Sequence, residues 1–343
     1  MTLHTIKELT EASLVAPERA AALEKIASRY AISISQEIAD LIGRNDSNDP
    51  IARQFVPNES ELITMPVELT DPIGDKAHEP IPGIVHRYPD RVLFKPVHVC
   101  PVYCRFCFRR EMVGSGKEPA LSQTEIDAAF AYVAAHPEIR EIIVTGGDPF
   151  ILSARRAADI AARAGAIQHV AKLRWHTRVP IVEPARVTDE FVQSIKLKTG
   201  QTRVAIHANH PRELTFAARA ACKKMLGAGI ELLSQSVLLK GVNDDIDTLE
   251  ELIRAFLETG IKPYYIHHPD LAPGTSHFRM SIEAGQALMR ELQTRIAPAP
   301  DYMLDIPGGF GKISLLSDNV ESIGGNWRVR DPGGVWHIYP RVP

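Results

Sequence analysis

Between residues 91 and 297, short apolar runs alternate with longer stretches of helical periodicity. The runs are 92–99 (VLFKPVHV), 141–146 (EIIVTG), 173–178 (LRWHTR), 203–208 (RVAIHA), 231–240 (ELLSQSVLLK) and 263–268 (PYYIHH). The stretches 123–136, 153–169, 188–197, 215–228, 245–259 and 282–296 repeat their apolar positions every three or four residues, the spacing of a helix with one face on a core. Asp189, Thr215 and Asp245 stand near helix starts, where a side-chain oxygen accepts from free first-turn N–H groups. Six strand-then-helix units in a row predict a parallel sheet with helices outside it. Eight would close a barrel. Six predict a partial (β/α)6 barrel of the TIM type, although a doubly wound open sheet fits the same string.

The flanks break this rhythm. Ala21, Leu23, Ile26, Tyr30, Ile38, Leu41 and Ile42 recur at helical spacing, so the first 50 or so residues predict a small amphipathic helical segment. From 56 to 90 the chain is rich in proline (Pro57, Pro66, Pro72, Pro80, Pro82, Pro89). That composition makes poor helix and poor central strand and predicts an extended arm over a neighbouring surface. Residues 298–343 hold Gly308, Gly309, Gly311, Gly324, Gly325, Gly333 and Gly334 and predict a loop-rich cap. The expected organisation is an N-terminal segment and arm over 1–90, the partial barrel over 91–297 and the cap over 298–343.

The chain has 343 residues, of which 45% are hydrophobic and 24% charged. That is the profile of a folded globular chain, not of a disordered or collagen-like one. Lys and Arg total 39 against 42 Asp and Glu, a net charge of −3, so no nucleic-acid partner is expected. No run reaches the 18 or so apolar residues of a membrane span, and no signal-peptide core interrupts the early glutamates. A cytoplasmic protein is expected. Three of four cysteines crowd together at Cys100, Cys104 and Cys107, which in a reducing compartment points to a metal or redox site.

These thiols follow the first strand of the barrel, at the end where α/β folds carry their chemistry. Thiolates at this local spacing hold iron–sulfur clusters; a zinc site would want a fourth closing ligand, and only Cys222, within a predicted helix, remains. C-x3-C-x2-C after strand one, with Phe106 before the third cysteine and Thr145-Gly146-Gly147-Asp148-Pro149 ending strand two, resembles the radical S-adenosylmethionine (SAM) superfamily. The resemblance implies a [4Fe–4S] cluster on Cys100, Cys104 and Cys107, with SAM held near Phe106, Gly146, Gly147 and Asp148. Glycines permit close backbone approach to a ligand, and the acid accepts from an ammonium.

A second motif narrows the family. Asp305-Ile-Pro-Gly-Gly-Phe-Gly-Lys312 is no P-loop, because Ile306 and Ile313 occupy two required positions. Beside the cysteine cluster, P-G-G-x-G-K resembles the lysine 2,3-aminomutase family. The resemblance, from about residue 56 to about 316, implies a pyridoxal phosphate (PLP) Schiff base on Lys312. It implies PLP contacts from Arg87, Tyr88 and Arg91 in His86-Arg-Tyr-Pro-Asp-Arg91, and SAM-pocket contacts from His207 and Gln235. Arg109 is implied as the partner of a substrate carboxylate, and Asp270 and Asp305 as the pair gripping the side-chain ammonium of lysine. The activity implied is transfer of the amino group of L-lysine from C2 to C3, after an electron from a donor such as flavodoxin or ferredoxin reaches the cluster. The alternatives are the same chemistry on a different amino acid, or a non-catalytic metal-binding protein. A homo-oligomer is expected if the arm straps a neighbouring copy. Asp245 stands where longer relatives have a cysteine, no cysteine follows Cys222, and Phe310 interrupts the glycine run, which bears on the oligomer and on the substrate pocket.

Overall fold

The computed structural model describes residues 2–43, 46, 48–114 and 118–341. The N-terminal segment forms α1 (Ile6–Glu11), α2 (Ala20–Ala27), α3 (Gln36–Leu41) and α4 (Pro50–Phe55). Leu23 and Ile26 of α2, Ile38 of α3 and Ile51 and Phe55 of α4 are buried. They join one continuous core that runs from Leu3 to Tyr339. Among the described residues no helix is long and apolar enough to cross a membrane.

The central sheet has nine strands in chain order: β1 (Ile84–Tyr88), β2 (Arg91–Val97), β3 (Glu141–Gly146), β4 (Lys172–Thr177), β5 (Gln201–His207), β6 (Glu231–Val237), β7 (Lys262–His267), β8 (Asp301–Asp305) and β9 (Lys312–Ser314). Strands β2 to β8 pair in parallel, while β1 and β9 pair antiparallel as the two edges. Helices α5 (Gln123–Ala135), α6 (Ala154–Ala166), α7 (Val179–Val182), α8 (Asp189–Ser194), α9 (Phe216–Gly227), α10 (Ile246–Thr259) and α11 (Ile282–Arg295) connect them. This is the expected partial barrel, extended by one parallel strand and two hairpin edges. Thr215 and Asp245 cap α9 and α10 as expected, but Thr188, not Asp189, caps α8.

Strand twist accumulates across the sheet, and its two edges come within reach of each other. The Lys312 backbone N–H on β9 donates to the Tyr88 hydroxyl on β1 at 2.7 Å, and Arg87 Nη1 lies 3.8 Å from Asp305 Oδ1. The barrel therefore has a seam, bridged by side chains instead of ladder hydrogen bonds.

The arm is a strap, but over its own barrel. Leu69 N donates to Leu271 O at 2.8 Å, and His78 Nε2 pairs with Gly309 O at 2.9 Å. Gly74, at φ +65°, crosses the glycine turn so closely that a Cβ there would lie 2.4 Å from Gly309 N. These contacts all lie within one chain. The cap is also more ordered than its glycines suggest. β10 (Val320–Ile323), β11 (Asn326–Arg330) and β12 (Trp336–Tyr339) form an antiparallel sheet whose Trp327, Val329 and Tyr339 join the core.

Candidate active site

The cysteine loop leaves β2 and is fastened to the N-terminal segment. Tyr103 N donates to Ser33 O at 3.0 Å and Arg105 N to Gln54 O at 2.8 Å, while Ser33 Oγ donates to Pro101 O at 2.6 Å. Beneath the loop lies the fully buried Glu61, which accepts from Arg105 Nε at 3.0 Å and also from Arg105 Nη2 and Arg110 Nη2. Burial alone would raise this carboxyl, but the charges and hydrogen bonds of the two arginines outweigh it and hold it below its ordinary value. Arg110 also stacks over Tyr30, 3.5 Å from its ring centre.

Cys100, Cys104 and Cys107 line one cavity together with Tyr30, Tyr103 and Arg110. Burial pushes all three thiols up, Cys107 to about 11, so bare thiols would stay protonated there, and a cationic iron–sulfur core is what would hold them as thiolates. Among the described residues no three His, Cys, Asp or Glu side chains converge as ligands of a single ion. A cluster suits this donor set, because its corner irons take thiolates set farther apart than the ligands of one ion. Cys222 is buried in α9 as part of the main core and is not with the other three. Arg178, just past β4, donates from Nη1 to Cys104 Sγ at 2.9 Å.

The Gly-Gly-Asp turn at the end of β3 departs from expectation. A Cβ on Gly147 would lie 2.1 Å from Val99 O, and one on Gly146 2.4 Å from Val97 O. The glycines are thus already required by the approach of the β2 exit. Asp148 is buried, and its carboxylate accepts from Thr177 Oγ1 at 2.7 Å, Arg178 N at 2.7 Å and Phe150 N at 3.0 Å. Burial raises it despite these donors. Its oxygens tie β3 to the end of β4.

Inside the barrel, His207 and Gln235 are register partners at the ends of β5 and β6. His207 Nε2 and Gln235 Oε1 are buried without hydrogen-bond partners, as are His176 Nε2 on β4 and His267 Nε2 on β7. Burial pushes His207 down to about 3 and His176 well below its ordinary value, so both are neutral. Buried orphans of this kind mark a place where a ligand supplies the missing partner. Phe106 instead packs edge-on against Phe278, ring centres 6.1 Å apart.

The seam gathers the remaining candidates. Asp305 and Lys312 face each other across the β8–β9 hairpin, and the Lys312 ammonium donates to Asp305 Oδ2 and lies 3.1 Å from His267 Nδ1. Burial would raise Asp305, but the Lys312 charge and its hydrogen-bond partners hold it well below the carboxylate range. Burial, with the nearby Asp305 charge, pushes Asp270 the opposite way, to about 8. The two carboxyls are thus held in opposite protonation states.

Asp75, on the arm and fully buried, was not expected. It accepts from Arg109 Nη2 at 2.9 Å and Arg87 Nη2 at 3.3 Å, and Lys95 Nζ lies 3.9 Å away. Burial would raise Asp75, yet the charges of Arg109, Lys95 and Arg87 hold it low. Arg91 stands outside this group, partly exposed, its guanidinium 4.5 Å from the centre of the Tyr88 ring. Phe310 turns outward and stacks on His337 of the cap at 4.0 Å, so it does not narrow the pocket.

The fold and the thiol loop define a radical SAM enzyme. A family model described as the Radical SAM superfamily matches residues 94–256, and the [4Fe–4S] cluster and SAM belong to that class. L-lysine 2,3-aminomutase of Clostridium subterminale is 33% identical over 93% of this chain and 77% of its own length. The protein of that name from Escherichia coli is 34% identical over 83% of each chain, and that from Methanococcus maripaludis 37% identical over 88% of this chain and 70% of its own. The chain belongs to the lysine 2,3-aminomutase family and is an isomerase.

Proposed function

We propose that this enzyme moves the amino group of L-lysine from C2 to C3, with pyridoxal phosphate bound covalently to Lys312. The C2–N bond breaks, a C3–N bond forms and one hydrogen moves from C3 to C2, so substrate and product are isomers. The observation that carries the substrate is the paired acids. Asp305 already binds an ammonium, that of Lys312, and Asp270, whose carboxyl burial and the Asp305 charge push up to about 8, is the second acid of the pair. Once the Lys312 nitrogen is committed to the cofactor, the acids lose their cation and the side-chain ammonium of lysine restores it. A substrate ending in a carboxylate would meet repulsion there.

When bound, pyridoxal phosphate supplies an electron-accepting ring next to the migrating nitrogen, and the cluster with SAM supplies the hydrogen-abstracting radical. The chain's own groups hold and orient. Arg87 and Arg91 offer guanidinium donors to the phosphate, and Tyr88 fixes the backbone of Lys312. Arg109 takes the substrate carboxylate in a fork suited to it, sharing its charge with Asp75. His267 contacts the Lys312 nitrogen and is held neutral by burial and the Lys312 charge, which suits it to accept a proton there. Gly146, Gly147, His207 and Gln235 border the SAM site, with Asp148 and Phe106 supporting its walls. A flavodoxin- or ferredoxin-type donor in the cytoplasm completes the reading.

The test is an anaerobic incubation of reconstituted protein with SAM, dithionite, PLP and each amino acid in turn. β-Lysine from lysine is expected; a different β-amino acid, with none from lysine, overturns the substrate. Borohydride should fix the cofactor to the peptide containing Lys312, and Lys312→Ala should lose that adduct with its iron content unchanged.

A further inference from the structure

We propose that Arg178 raises the reduction potential of the cluster, by donating a charged hydrogen bond to the sulfur of Cys104. The inference rests on the reading of Cys100, Cys104 and Cys107 as the cluster ligands. The contact is 2.9 Å from Arg178 Nη1 to Cys104 Sγ. Among the described residues, Cys104 is the one of the three whose sulfur accepts a side-chain hydrogen bond, and its donor carries a full positive charge. Cys104 thus differs from its neighbours in receiving a full positive charge.

The guanidinium has no freedom to leave. Its Nη2 donates to Gln54 Oε1 at 2.6 Å and Glu213 Oε2 at 2.5 Å. Glu213 is held in turn by Asn209 N at 2.9 Å, His210 N at 3.0 Å and Gln54 Nε2 at 3.1 Å. Phe55 lies 4.6 Å below the guanidinium carbon and Phe106 5.4 Å from it, which gives the Phe106 of the cysteine motif a physical task. The backbone N–H of Arg178 binds Asp148, so one residue joins the thiol loop to the Gly-Gly-Asp turn.

The electrostatics have a definite sign. One-electron reduction adds a negative charge to a cluster whose three thiolates already make it anionic, and a fixed cation on a ligand sulfur stabilises the reduced form more than the oxidised one. The Glu213 carboxylate binds the guanidinium at Nη2, whereas the sulfur meets Nη1, so it weakens this effect without reversing it. Burial removes water that would otherwise screen the charge.

The test compares wild-type protein with Arg178→Gln, both reconstituted, with iron and sulfide measured first. The midpoint is then followed by the electron paramagnetic resonance of the reduced cluster against a low-potential dithionite titration. Arg178→Gln is expected to keep its iron and to become harder to reduce by about tenfold in the equilibrium constant, about 59 mV for one electron. A full iron complement with an unchanged or more positive midpoint overturns the proposal; wild-type protein that binds no iron overturns the cluster reading instead. If Arg178→Gln takes up no iron, wild-type protein labelled with guanidino-15N arginine decides the matter. Its reduced cluster should show a nitrogen coupling that Arg178→Lys removes, and the absence of that coupling overturns the proposal.

Discussion

Around the cysteine loop the buried charges are matched by groups of the protein itself: Glu61 lies between Arg105 and Arg110, and Arg178 between Glu213, Gln54 and Cys104. At the seam the matching is provisional. The Lys312 ammonium holds Asp305, Asp75 occupies the fork of Arg109, and His267 Nε2 has no partner. The first region is built to hold one arrangement, and the second to exchange partners. The contrast separates a scaffold for an inorganic group from a pocket through which molecules must pass.

The comparison is sharpest in stability. Glu61→Gln leaves two buried guanidinium groups facing a neutral amide, so urea unfolding of the apoprotein should show a loss of about 3–5 kcal/mol. A loss below about 1 kcal/mol would place Glu61 with the exchangeable groups and break the contrast.

At the seam the signature is pH dependence. With its folded carboxyl near 8 and an unfolded value of about 4, Asp270 keeps in the folded apoprotein a proton that the unfolded chain has released. Its stabilising contribution is complete below about pH 4 and is lost as pH rises toward 8, by at most about 1.4 kcal/mol per unit. Asp270→Asn should flatten that part of the stability curve, and bound lysine should release a proton in calorimetry across buffers. An unchanged curve would mean that the two acids are not coupled.

The smallest effect concerns Phe310. Its stack on His337 is half exposed, so Phe310→Ala should cost about 1 kcal/mol in thermal unfolding and leave the preference among amino acids unaltered. A changed preference would move the pocket wall out to the cap.

The six central strands and their helices were legible by periodicity and the three thiols stood out by spacing, whereas Lys312 stood out only because its glycine turn resembles the family motif. Asp75, Glu61, Gln54, Arg178 and Glu213 were not, because each acquires its role from partners far along the chain. Arg178 meets Glu213 35 residues away and Gln54 124 residues away, and no run of sequence marks such a pair. His176 and His267 did carry a signal, a polar residue near the end of an apolar strand, but His207 shares it and was singled out only by the resemblance. β1, β8 and β9 were hidden by brevity and by neighbouring prolines and glycines, and they are the strands that make the seam. The Gly-Gly-Asp motif was found, but the burial of Asp148 among backbone donors was not legible in it.

The seam also sets a timetable. Ser33, Gln54, Glu61, Arg178 and Glu213, which surround the thiols, all precede the last two strands of the sheet. A chain growing from its N-terminus therefore has every contact of the cysteine loop before Asp305 and Lys312 exist. The cluster's cradle is complete early in synthesis, whereas the pocket at Lys312 is finished only when β9 comes round to meet β1. A chain ending near residue 290 would hold every residue named around the thiols and would lack Lys312 altogether.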